Sequence, residues 1–256
     1  MGKLADLLLE ADVVPDTKFK KQLEKAVKYL NTKGKILILT TSNRGDLSSK
    51  DKQDTPKSTR IAQVMQRSIG AHKCTLIDVS KLKIYNCEGN VSSKDGNNCG
   101  VRAAALKDKE KNPSGDLRCW ASFNNADDEL WKIATPLFEC NVVVFMGSIR
   151  WGQANAIYQK LIERLDWIEN RHTTLKERNV VEGIESGFIF IGHNWRVQDV
   201  VKIQKQVHEF YGFTPANDLY FGHQFTEDMY GESQDGYRED VHSLDNIIDI
   251  RDLLKR

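Results

Sequence analysis

Four short runs, each almost continuous in apolar residues and each closed by Gly, Ser, Asn or a charge, constrain this chain more than anything else in it. They are Lys35–Thr41 (KILILTT), Thr75–Val79 (TLIDV), Asn141–Gly147 (NVVVFMG) and Ser186–Gly192 (SGFIFIG). Runs that are apolar on both faces belong to parallel strands covered by helices on each side. A fifth and weaker run is Asp218–Gly222 (DLYFG). Between them lie apolar residues at steps of three and four. The clearest set is Ala154, Ile157, Tyr158, Leu161, Ile162, Leu165 and Ile168. Others begin at Ile61, Val64 and Met65, at Leu130, Ile133, Ala134, Leu137 and Phe138, and at Val197, Val200, Val201, Val207 and Tyr211. Strands alternating with helices predict βαβ units and a doubly wound α/β sheet.

Two amphipathic patterns flank this core: Phe19, Leu23, Val27 and Leu30 before it, and Leu244, Ile247, Ile248 and Leu254 after it. The expected organisation is an N-terminal helical extension over 1–34, a sheet domain over 35–222 and a C-terminal extension over 223–256, with both extensions packed on the outside. Two stretches resist regular structure, the polar segment 45–57 and the segment 86–125 with its NCEGN, SSKDGNNCG and KNPSGD clusters. A connection as long as the second is commonly functional.

Lys and Arg number 37 against 36 Asp and Glu, a net charge of +1. So balanced a chain offers no global attraction to nucleic acid or to an acidic membrane surface. The amino terminus carries Asp6, Glu10 and Asp12 where a secretory signal needs a basic start and an apolar centre, and a cytoplasmic protein is expected. Five cysteines at irregular spacing predict reduced thiols, with Cys74 and Cys140 as small core fillers. Cys87, Cys99 and Cys119 have no CxxC spacing and the six histidines form no HExxH, so no metal or cluster is expected. Asp127 and Asp128 read as first-turn carboxylates of the helix that follows.

In an open parallel sheet, ligands bind beyond the carboxyl ends of the strands where strand order reverses. The first strand is followed by Thr41, Ser42, Asn43, Arg44 and Gly45, and Ser58-Thr59-Arg60 then opens a helix. Free N–H groups at a helix start, short hydroxyls and a guanidinium suit a phosphate. The alternative is that Ser58 or Thr59 only caps its helix. No GxxxxGK[ST] or GxGxxG follows a strand, which points to a mononucleotide. After the third strand comes Gly147-Ser148-Ile149-Arg150-Trp151-Gly152, and after the fourth Gly192-His193-Asn194-Trp195. Glycines let backbone approach a flat ligand and the indoles offer it a face.

From Lys35 to Gly222 the chain resembles the NADPH-dependent FMN reductases and iron-sulfur flavoproteins of the flavodoxin-like fold. The resemblance is carried by Ser42, Asn43, Arg44, Ser58 and Thr59 as the phosphate loop. It continues from Asp127-Asp128 to the Gly147–Gly152 turn, which in that family lies along the isoalloxazine ring. The longer phosphate loop, Arg150 in place of an aromatic and the scattered cysteines depart from the family pattern. The resemblance implies a three-layer α/β/α sandwich with a five-stranded parallel sheet of order 2-1-3-4-5. It also implies bound FMN, NAD(P)H as electron donor, a small acceptor such as a quinone or flavin, and a homodimer or homotetramer. Arg150 would then tune the flavin, and the 86–125 segment, with Arg102, Arg118 and Trp120, would cover the second-substrate side. Two other readings fit the same fold: a flavodoxin-type electron carrier, and a non-enzymatic module binding flavin or another phospholigand.

Overall fold

The computed structural model describes residues 4, 6–8, 17–43, 55–89, 98–192 and 196–224. Its elements run α1 (Thr17–Asn31), β1 (Ile36–Thr40), α2 (Lys57–Ile69), β2 (Cys74–Asp78), α3 (Trp120–Asn124), α4 (Trp131–Glu139), β3 (Val142–Arg150), β4 (Gln153–Ala154), α5 (Ala156–Thr173), β5 (Glu185–Gly192), α6 (Val197–Phe210) and β6 (Thr214–Gln224). Five strands form one parallel sheet in the order β2-β1-β3-β5-β6. This is the flavodoxin-like order once the strands are counted along the chain without β4. The expected class and order hold, with one addition: a two-residue sixth strand, β4, runs antiparallel to β3.

Alternation along the strands divides the core in two. Leu37, Leu39, Val143, Phe145, Phe188 and Phe190 face α4, α5 and α6, whereas Ile36, Ile38, Val144, Met146, Ile189 and Phe221 face α1 and α2. Central strands β1, β3 and β5 are therefore buried on both faces, as their unbroken apolar runs require. α1 is not the outer addition expected of it. Phe19, Leu23, Ala26 and Leu30 are fully buried, α1 packs on β6 and α2, and Leu4 and Leu8 join the same layer. β6 extends two residues beyond the expected domain end at 222. The predicted C-terminal helix lies outside the described residues.

The described part of 86–125 packs on the outer side of α5, contributing Cys99, Leu117, Cys119 and Ala121 to the core. Arg118 bonds Glu177 at 2.7 Å, and Arg171, near the end of α5, bonds Asp116 at 3.1 Å. From Asn155 to Arg171 a helix rises about 24 Å. Arg118 therefore sits at the opposite end of α5 from the strand termini, and Trp120 donates its indole N–H to the Asn98 carbonyl. The expectation that Arg118 covers a site at the strand ends is corrected accordingly.

Candidate functional site at the strand-order reversal

The chain leaves β1 toward one face, where α2 lies, and leaves β3 toward the other, where α5 lies. Adjacent crossovers that diverge in this way open a crevice. β1 pairs with β3 only as far as Thr40 opposite Met146, while β3 continues four residues further to Arg150. Ile149 pairs with Gly192 on one side and with Ala154 on the other, which seats β4 on the β1 side of β3, directly beyond the end of β1.

Asn155 locks this junction. It caps α5, accepting from the Tyr158 N–H at 3.3 Å. Its Nδ2 donates to the Thr41 carbonyl at 2.6 Å, its Oδ1 accepts from Thr41 Oγ at 3.0 Å, and its backbone N–H donates to the Ser148 carbonyl. Thr41 N–H in turn donates to the Met146 carbonyl at 2.9 Å. Sequence reasoning passed over Asn155, although an Asn directly before an apolar helical pattern is a cap signal.

On the α2 side, Ser58 Oγ donates to Ser42 Oγ at 2.8 Å, so two of the expected phosphate ligands touch. Both are buried, as is Thr59. α2 starts after Pro56 with no side-chain cap. Thr59 Oγ1, Thr40 Oγ1 and Ser148 Oγ are buried hydroxyls with no hydrogen-bond partner among the described residues. A buried hydroxyl without a partner costs about 1–3 kcal/mol. The three lie at the end of β1, the start of α2 and the end of β3. Asn43 is exposed beside them. Arg44 lies outside the described residues, as do His193, Asn194 and Trp195.

The β3–β4 connection is a two-residue turn. Trp151 and Gly152 both have positive φ, 53° and 69°, the signature of a hairpin turn that matches strand twist. Trp151 is 86% exposed and Arg150 is exposed beside it, whereas Ile149 is buried. Gly152 faces the Arg196 side chain, where a Cβ would come within 3.3 Å of Cδ. The hairpin thus meets the start of α6. Gly147 and Gly192 turn their missing side chains inward: a Cβ at Gly147 would collide with Thr41 Oγ1 and the Phe190 ring, and one at Gly192 with Val197. These two glycines serve close packing between strand ends, and any ligand would meet only their backbone.

The paired aspartates do something the sequence reading did not give them. Asp128 is buried and receives both terminal nitrogens of Arg164, at 2.8 and 2.9 Å. Burial pushes its carboxyl pKa up, but the Arg164 bonds outweigh that and hold it below the usual range. Arg164 is fully buried, and it also reaches the Tyr85 carbonyl, Ser122 Oγ and Cys119 Sγ. Asp127 bonds Lys83 and Tyr85 at the surface. Cys87, Cys99 and Cys119 form no disulfide. Among the described residues no group of three or more His, Cys, Asp or Glu is arranged to hold a metal ion, and no helix is long and apolar enough to cross a membrane.

No protein-family model matches the chain, and no curated protein does. Solved structures do resemble it. RosB with a bound 8-demethyl-8-formylriboflavin-5'-phosphate intermediate is 13% identical, with 80% of this chain and 69% of RosB covered, at a TM-score of 0.49. An FMN-dependent NADH-azoreductase from Bacillus anthracis str. Ames Ancestor, in complex with FMN, is 13% identical over 75% of this chain and 86% of its own, at 0.40. The Trp repressor binding protein from Bacillus subtilis is 11% identical over 74% and 84%, at 0.36. At these scores the likeness adds nothing to what the sheet order already shows.

Proposed function

We propose that the chain binds FMN at the carboxyl ends of β1, β3 and β5 and works as an NAD(P)H-dependent oxidoreductase on a small acceptor. The observation that carries this reading is the set of unsatisfied buried hydroxyls, Thr40, Thr59 and Ser148, at the crevice where strand order reverses, beside the touching pair Ser42 and Ser58. A phosphomonoester supplies three strong acceptor oxygens, and an uncapped helix start favours its charge. Thr59, Ser58 and Ser42 would hold the phosphate, and the hairpin from Ser148 to Gly152 would lie by the ring. Bound FMN would supply the exchange of electrons between a nicotinamide donor and an acceptor; the protein's part is binding, orientation and local dipoles. Asn155 fixes the two strand ends against each other so that both halves of the ligand are held at once.

The test compares FMN with riboflavin, which lacks the phosphate. Purified protein should take up FMN at least about tenfold more tightly than riboflavin, and Thr59→Val should erase most of that difference, since a charge-assisted hydrogen bond is worth about 1.5–3 kcal/mol. Anaerobic NADPH should then bleach the flavin absorbance. Protein that stays colourless with excess FMN refutes the assignment.

A further inference from the structure

β3 outruns β1 by four residues, about 13 Å at 3.3 Å per residue, so its tip stands at the mouth of the crevice. Strand alternation puts Arg150 on the same face as Ser148, the face of α2 and the proposed phosphate seat. Arg150 is exposed, and its guanidinium makes no ion pair or hydrogen bond with any described residue. That separates it from Arg118, Arg164 and Arg171, each of which meets a carboxylate, and from Arg196, whose Nε bonds Asp199 at 3.2 Å. Next to it the indole of Trp151 is 86% exposed and held at φ 53°. A left-handed conformation costs a residue with a side chain roughly 1–2 kcal/mol, which is usually tolerated where geometry serves a site. The hairpin is not loose. β4 pairs with β3, Asn155 N–H holds the Ser148 carbonyl, and Gly152 abuts Arg196.

We infer that the Arg150–Trp151 tip is a selectivity element for the second substrate, favouring planar aromatic molecules that carry an anionic group. The indole lies against the ring and the guanidinium meets the sulfonate, carboxylate or phosphate. Guanidinium planes suit such oxyanions because they donate two parallel N–H bonds. This rests on the flavin reading for the place of the substrate but not for its charge, and it moves Arg150 from tuning the flavin to choosing its reaction partner.

The experiment measures, by calorimetry on FMN-supplemented full-length protein, the binding of a sulfonated quinone and of its uncharged hydroxymethyl counterpart. FMN uptake is read by visible absorbance in the same samples. The sulfonate should bind roughly five- to tenfold more tightly at low ionic strength, the range for a partly exposed charge-assisted pair. High salt should collapse the preference. Arg150→Ala should remove it, Arg150→Lys should keep part of it, and Trp151→Ala should weaken both quinones alike. Equal affinities in the unaltered protein, or an undiminished preference in Arg150→Ala, overturns the inference. Loss of FMN uptake with the preference intact sinks the flavin reading alone, and normal uptake without preference sinks this one alone.

Discussion

Asn155 Nδ2 donates to the Thr41 carbonyl at 2.6 Å, joining the end of β1 to the cap of α5 across the point where strand order reverses. The same side chain caps α5 and receives the Thr41 hydroxyl, so one residue sets the width of the crevice. Asn155→Ala should lose about 1–2 kcal/mol of stability in urea unfolding, from the cap and a buried hydrogen bond. FMN affinity should fall with it. Asn155→Asp keeps the cap but gives up the donor to Thr41, so it should retain part of the stability and still bind FMN poorly. If both variants bind FMN normally, the crevice does not depend on this tie.

The Asp128–Arg164 pair is the most demanding interaction in the core. Both side chains are fully buried, and Arg164 finds a partner for every nitrogen. Removing one member of such a pair leaves an uncompensated charge, at a cost of about 3–5 kcal/mol. Asp128→Ala should therefore unfold at much lower denaturant than Asp128→Ala combined with Arg164→Met, where no charge is left stranded. A double variant no more stable than the single would show that Arg164 is not held as a charge.

His208 gives a pH dependence of known sign. It is fully buried, and burial pulls its pKa down to about 3. One proton assignment satisfies the whole chain with a neutral ring. Ser186 donates to Tyr220, Tyr220 to His208 Nδ1, His208 Nε2 to Tyr158, and Tyr158 to Gln204. Unfolded, the ring protonates near its ordinary value of 6.5. Between pH 6.5 and 3 the unfolded chain thus binds one more proton than the folded one. Stability should fall by about 1.4 kcal/mol per pH unit as pH drops through that window, and this contribution should be flat above it. His208→Gln should flatten this part of the profile, read as the difference between the two proteins' unfolding free energies.

The thiols sort by burial. Burial pushes Cys74 and Cys140 up to about 12 and also raises Cys99 and the half-buried Cys87. Thiolate attack on a disulfide reagent at pH 8 should therefore be slow throughout, with Cys87 first because it alone of the five is accessible. Cys87→Ser should abolish the early phase of thiol release. A fast phase that survives this change would point to opening of the segment around Cys99 and Cys119.

Much of the sheet was legible because β1, β3 and β5 are buried on both faces and cannot hide their apolar runs. The end of β3 was not. Gly147 reads as a strand stop, yet it is glycine so that Thr41 and Phe190 can close in, and the strand runs on to Arg150. The place of α1 was equally unreadable, since an amphipathic stripe shows that a helix packs without showing on what. Arg164 could have been found. It falls three residues after Leu161 and four before Ile168, on the apolar stripe of α5, where a charge demands a partner. The link from Tyr158 to His208, 50 residues apart, left no trace in either local pattern.

The Trp151–Gly152 turn offers a direct comparison of stability with use. Two positive φ values in a two-residue hairpin favour Asn-Gly, because Asn tolerates the left-handed region far better than a large aromatic side chain. The indole is 86% exposed, so burial returns little against the strain. Trp151→Asn should therefore stabilise the fold by about 0.5–1 kcal/mol in urea unfolding. It should at the same time weaken the binding of both the sulfonated and the uncharged quinone while leaving their ratio, set by Arg150, in place. A less stable Trp151→Asn protein would mean that the indole is held by contacts worth more than the strain. In that case the tip is a structural clasp and not a platform for substrate.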